Sequence, residues 1–211
     1  MTRRAPWFYV PDACALDRFA APDLMLLVTG NADATQWAAS RRLAVEDIQG
    51  QLKALDIQLG RDAEILDLGC GCGRILAGWE GLLPDTAILH GVDINPQLVA
   101  FCRDNIPFAS VSCCNYDPPL SFDRAKFDLV YCASVFTHVT LPACLRWAAE
   151  LARVVKPGGT LMISYHGEYY IDTLRGLAAD GEKRLGAMAT ICSCTARKSK
   201  HFGDRIIMRR S

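Results

Sequence analysis

Net charge is the first thing this chain lacks. Lys+Arg and Asp+Glu both number 23 in 211 residues, so overall charge selects no particular partner. Long apolar runs are missing too. No stretch approaches the roughly 18 apolar residues of a membrane-spanning helix. The run Trp7–Val10 stops at Pro11 and Asp12, which is too short for a secretory leader. There is no internal repeat, no low-complexity tract and no C-x-x-C pair. The last absence removes the commonest dithiol redox motif. Together these gaps predict a reduced, cytoplasmic protein with no membrane partner.

Cysteine, by contrast, is abundant. Ten are present, at 14, 70, 72, 102, 113, 114, 132, 144, 192 and 194. They follow no regular framework, and several sit in apolar segments, where a free thiol behaves as a small hydrophobe. Apolar residues make up 51% and charged residues 22%, ordinary for a globular chain. The length suits one domain. Charge is unevenly spread: residues 197–211 hold Arg197, Lys198, Lys200, Arg205, Arg209 and Arg210 against Asp204, a net +5, which leaves −5 on residues 1–196.

Residues 1–34 are punctuated by Pro and Asp and read as a mostly irregular lead-in. From residue 35, Trp37, Leu43 or Ala44, Ile48, Leu52 and Leu55 recur at helical spacing, and predict one or two helices up to Gly60. An alternation follows. Strands are expected at 63–68, 86–93, 108–113, 126–134 and 160–165. Helices are expected at 74–83, from Pro96 to about Asn105, and from Leu141 to a stop at Pro157-Gly158-Gly159. Strands alternating with helices imply a parallel sheet with right-handed crossovers. Residues 168–188 look helical, and within the last 23 residues only Asp204–Arg209 is a convincing strand.

The segment L-D-L-G-C-G-C-G-R, residues 66–74, demands a chemical reading. Cys70 and Cys72 supply two thiolates where a structural zinc needs four ligands, and the next such pair, Cys192 and Cys194, lies 120 residues on. No metal is expected. A Walker loop needs Gly-Lys-Ser/Thr, but Gly73 is followed by Arg74 and Ile75. The dinucleotide pattern G-x-G-x-x-G is one residue short here. Asp67 sits two residues before the first glycine, poorly beside a pyrophosphate and well beside a cation. Asp93 ends the second strand, 20 residues after Gly73, where an acid in a doubly wound sheet accepts from both ribose hydroxyls.

These motifs, with Gly91-Val-Asp93, Phe127-Asp-Leu-Val-Tyr131 and Lys156-Pro-Gly-Gly-Thr160, resemble those of class I S-adenosylmethionine-dependent methyltransferases. The resemblance runs in order over residues 35–170. It implies a Rossmann-like, doubly wound α/β fold with a mainly parallel sheet of order 3-2-1-4-5. It also implies S-adenosylmethionine as cofactor and methyl transfer to an O, N or C atom of a small-molecule acceptor. On it, Asp67 lies near the methionine end, bonding the amino group directly or through water. Gly69 and Gly71, with Cys70 between them, let the backbone approach the ligand. Asp93 takes the ribose, Ile94 packs on the adenine, Asn115 reads its amino edge and Ser134 lines the methionine side. An oxygen acceptor also calls for a base, and His138 and His166 follow strands that end at this cleft.

Asp117-Pro118-Pro119-Leu120 precedes the fourth strand and lacks an aromatic residue, unlike the motif of enzymes that methylate flipped bases; nucleic acid is not an expected partner. The expected organisation is a lead-in at 1–34, a cofactor-binding methyltransferase domain at 35–186 and a basic, Cys/Ser-rich tail at 187–211. Relatives of this type finish with an antiparallel strand pair, and here the C-terminal pair is expected to be atypical or incomplete. That leaves an alternative open: a methyltransferase-like domain that binds cofactor without turnover.

Overall fold

The computed structural model describes residues 21–30, 32–136, 138–165, 194–198 and 204–210. Within them the elements are α1 (Pro22–Thr29), α2 (Ala34–Ala54), β1 (Glu64–Leu68), α3 (Arg74–Gly78), β2 (Ile88–Asp93), α4 (Pro96–Asn105), β3 (Ala109–Cys113), β4 (Phe127–Cys132), α5 (Leu141–Val154), β5 (Val155–Tyr165), β6 (Cys194–Lys198) and β7 (Asp204–Arg209). The strands form one sheet in the order β3-β2-β1-β4-β5-β7-β6. The first five are mutually parallel, as the alternation predicts.

Burial on both faces explains why β1 lies inside the sheet. Ile65 packs with Val45, Ile48 and Leu52 of α2 and Leu76 of α3. Leu66 and Leu68 face the other way, onto Trp147 and Leu151 of α5. A strand buried on both sides reads as a continuous apolar run, and the single acid in it, Asp67, is conspicuous. α2 and α4 are capped as their sequences suggest. Asp33 accepts from the Thr35 and Gln36 amides, and Asn95 accepts from Gln97 with Pro96 at the first turn.

Four features differ from the sequence reading. The lead-in contains a helix, α1, closed by Gly30 in the left-handed conformation. Met25 is its one buried residue, packed with Trp37, Cys72 and Leu98, so it offers no periodic apolar face. α3 stops at Gly78, short of the expected residue 83, and α2 packs closely there: a Cβ on Gly78 would lie 2.6 Å from the Arg41 carbonyl oxygen. β5 starts at Val155, before the Pro-Gly-Gly stop, because Pro157 disfavours helix at Lys156. Finally, the C-terminal pair is formed. β7 runs antiparallel to β5 over six residue pairs, and β6 pairs outside it. The edge beside β5 is therefore covered, and the basic residues Arg197 and Lys198 fall in the outermost strand, where charge discourages further pairing. The expected helix over 168–188 lies outside the described residues.

Candidate active site

The glycine turn joins β1 to α3 at the C-terminal edge of the sheet. Gly69, Gly71 and Gly73 adopt φ of 73°, 57° and 80°, a region that costs other residues about 1–2 kcal/mol each. The Gly69 and Cys70 amides both donate to the Val92 carbonyl, at 2.8 and 3.0 Å, which folds the turn over the end of β2. Space is as restrictive as φ. A Cβ on Gly69 would meet Val135 Cγ2 at 2.2 Å, one on Gly71 would meet Val28 Cγ1 at 3.0 Å, and one on Gly73 would meet Ile106 Cδ1 at 2.2 Å. Glycine at 69 and 71 thus also spares clashes with side chains from the β4–α5 connection and from α1.

Asp93 is buried at the end of β2 and is fixed by backbone donors. Its Oδ2 accepts from Gly71 N at 2.8 Å and its Oδ1 from Asn95 N at 2.9 Å. Each carboxylate oxygen has a second acceptor site, so the group is oriented and still open to a vicinal diol. Next to it Ile94 is 58% exposed, an apolar surface at the rim.

Asp67 is 1% exposed. Burial pushes its carboxyl up to about 8; the Tyr131 hydrogen bond and the nearby Arg74 charge oppose that shift, while Asp93 adds to it. Tyr131 is the β4 residue paired with Asp67 in register. Its hydroxyl accepts from Trp79 Nε1–H at 3.1 Å. Asp67 Oδ2 is buried and has no hydrogen-bond partner. Arg74 donates to the Ser40 carbonyl at 3.2 Å and lies over the Trp37 ring, which ties α2 to the turn; burial lowers its pKa. The sequence reading assigned no role to Tyr131, Trp79 or Arg74.

The remaining predicted residues divide. Ser134 lies just past β4, at φ 63°, and donates its amide to Ser164 Oγ at 2.7 Å. A non-glycine residue in that region often marks a functional turn. Asn115 is exposed in the loop after β3, and His138 is exposed in the β4–α5 connection. His166 lies outside the described residues. Cys70 and Cys72 are buried free thiols. Cys70 and Cys102 both reach the Gly71 carbonyl, at 3.7 and 3.4 Å. Burial pushes the Cys72 thiol up to about 12, so it is protonated at neutral pH and a poor metal ligand. Among the described residues no group of three or more His, Cys, Asp or Glu could hold a metal ion, and no helix is long and apolar enough to cross a membrane.

The structure is thus a doubly wound sheet with an acid-flanked glycine turn and a second acid ending the next strand. Residues 65–159 match the family described as a methyltransferase domain. This match, with the relatives and solved structures that follow, supports a class I S-adenosylmethionine-dependent methyltransferase domain. It is 28% identical over 180 residues to Methyltransferase str2 of Strobilurus tenacellus, covering 83% of this chain and 62% of that protein. It is 35% identical over 105 residues to a 2-methyl-6-phytyl-1,4-hydroquinone methyltransferase of Synechocystis, covering 47% and 31%. The chain therefore spans less than two thirds of the length of these relatives. Others are named for methylating a ribosomal protein or tRNA. In fold it is similar to a TehB-like S-adenosylmethionine-dependent methyltransferase from Corynebacterium glutamicum, with TM-score 0.54 and 16% identity, covering 82% of this chain and 98% of that one.

The family's cofactor is S-adenosylmethionine, and the residues present fit it. The unpartnered Asp67 oxygen suits a cationic amino group, the backbone-fixed Asp93 carboxylate suits a ribose diol, and exposed Ile94 suits an aromatic base.

Proposed function

We propose that the protein transfers a methyl group from S-adenosylmethionine to an O, N or C atom of a small-molecule acceptor. The observation that carries this reading is the pair of buried acids at the ends of adjacent strands. Asp93 is held by two backbone amides, and Asp67 has an unpartnered oxygen. When bound, the cofactor supplies a methyl carbon activated by a sulfonium charge, which the acceptor takes by in-line displacement.

The chain's own residues bind and orient. Asp93 accepts from the ribose hydroxyls, and Ile94 and Asn115 meet the adenine. Asp67 neutralises the amino-acid end. Gly69, Cys70 and Gly71 shape the turn that carries Asp93's partner amide, and Ser134 lines the methionine side. Holding donor and acceptor in line can supply much of the acceleration. For an oxygen acceptor the candidate bases are His138 and His166.

Support for a small acceptor comes from the Synechocystis relative, whose name gives a hydroquinone, and from the absence of a net basic charge. The test is incubation with cofactor labelled in its methyl group and fractionated cell extract, followed by mass spectrometry. The expected result is label in a low-molecular-weight product. Label confined to RNA or protein would overturn the small-molecule part of the proposal; no labelled product in any fraction would overturn methyl transfer itself.

A further inference from the structure

A gap in the packing lies between α2, α3 and the C-terminal ends of β4 and β5, and none of the roles given so far uses it. It holds about 30 Å³ and is partly open. Its walls include Ala44 and Ile48 of α2, Ile75 of α3, Tyr131 of β4, and Met162 and Ser164 of β5. No charged residue lines it. Protein interiors leave few voids of even water size, and apolar ones stay dry and take apolar guests.

Strand register fixes where the gap sits. Tyr131 pairs with Asp67 on β1 and with Met162 on β5. The gap is thus on the strands next to the acid assigned to the amino-acid end of the cofactor. Ser164 links the two regions. Its Oγ accepts from the amide of Ser134, on the methionine side, at 2.7 Å. Ser164 is 8% exposed, and a hydroxyl that accepts still has one proton to donate. Among the described residues no hydrogen bond uses that proton. Tyr131 differs, since its hydroxyl already accepts from Trp79 Nε1–H at 3.1 Å.

We propose that this gap is an acceptor subsite: it takes a small, uncharged apolar group of the methyl acceptor, and Ser164 donates to a neutral oxygen beside that group. This deepens the function proposed above and rests on it. An ammonium or carboxylate placed against these walls would lose its hydration and find no counter-ion among them. Apolar contact supplies the affinity, and one convergent hydroxyl fixes the orientation.

The experiment compares wild type, Ala44→Leu and Ser164→Ala, each with S-adenosylhomocysteine bound. Thermal melting checks folding, and Ser164→Ala carries the test if Ala44→Leu does not fold. The probes are isobutanol and isobutylammonium, which share a shape and differ in charge, read by saturation-transfer NMR. Wild type should transfer to isobutanol and not to isobutylammonium. Transfer should vanish in Ala44→Leu, whose longer side chain fills the gap, and weaken in Ser164→Ala. A second readout is methyl labelling of the low-molecular-weight extract fraction at limiting dilution. The labelled product should extract into organic solvent. Its yield should fall about 10- to 200-fold in Ala44→Leu and about 2- to 10-fold in Ser164→Ala. Calorimetric affinity for S-adenosylmethionine should stay at the wild-type value in both variants. No isobutanol transfer in wild type, equal transfer to both probes, or labelling undiminished in the folded variants overturns the proposal. So does a Ser164→Ala protein that loses cofactor affinity alone, which would make Ser164 a brace for the Ser134 turn. Those results leave the methyltransferase reading standing. Failure of wild type to bind the cofactor, or to label any product, overturns that reading and this proposal together.

Discussion

Replacing Asp93 by Ala should produce two losses that separate experimentally. The first is stability. Asp93 Oδ2 is the acceptor for Gly71 N, and Gly71 is buried. Without it a backbone donor is left unsatisfied at a cost of about 1–3 kcal/mol. The Asn95 amide is only half-buried and water can replace its partner. The second loss is affinity. Hydrogen bonds from a diol to a charged acceptor are worth about 1.5–3 kcal/mol, a ~10- to 100-fold weaker S-adenosylmethionine complex. Urea unfolding with and without ligand reads both. At a ligand concentration 100 times the wild-type Kd, binding stabilises wild type by about 2.7 kcal/mol; the same concentration should stabilise the variant by only about 0.4–1.4 kcal/mol. Asp93→Asn should not rescue it, because its amide nitrogen would face one of the two backbone donors. A variant that is destabilised but gains the full wild-type increment from ligand would refute the ribose role, and Asp93 would then be a structural brace for the turn.

Three further outcomes are expected. Asp67 has a folded pKa raised from 3.8 to about 8, so its ionisation opposes folding, and stability falls as pH rises from about 4 towards 8, by at most about 1.4 kcal/mol per pH unit. Asp67→Asn should therefore flatten urea-melting midpoints between pH 6 and pH 8 and stabilise the free protein at pH 8; an unchanged slope would refute the buried-acid assignment. Gly69→Ala should destabilise by about 2–4 kcal/mol, from a left-handed φ and a 2.2 Å approach to Val135, and Val135→Ala in the same chain should recover part of it. Cys72→Ala should leave cofactor affinity within about twofold and insensitive to chelators; a chelator-dependent loss of binding in wild type would restore a metal reading of the turn.

The parts of this fold that were legible in the sequence are those carried by local pattern. Apolar runs ending at Asp67 and Asp93, with helical spacing between them, are enough to predict parallel strands joined by helices, while their order came from the family resemblance; the acids announce themselves because each interrupts or ends an apolar strand. What stayed hidden depends on register and crossing geometry. Tyr131 looks like one more apolar strand residue until β1 and β4, more than 60 residues apart, set it opposite Asp67. Val28 and Val135 press on the glycine turn from a helix and a loop with no periodic signal. β6 is Cys-Thr-Ala-Arg-Lys, with no apolar alternation; its strand form comes from pairing with β7, which local composition does not encode.

The most direct test of the account is a crystal structure of this chain with S-adenosylhomocysteine, the demethylated product of the donor. The account predicts the ribose hydroxyls within hydrogen-bond distance of the Asp93 carboxylate, the adenine against Ile94 and the amino group on the Asp67 side of the glycine turn. A ligand bound elsewhere, or crystals that take up none at saturating concentration, would contradict it.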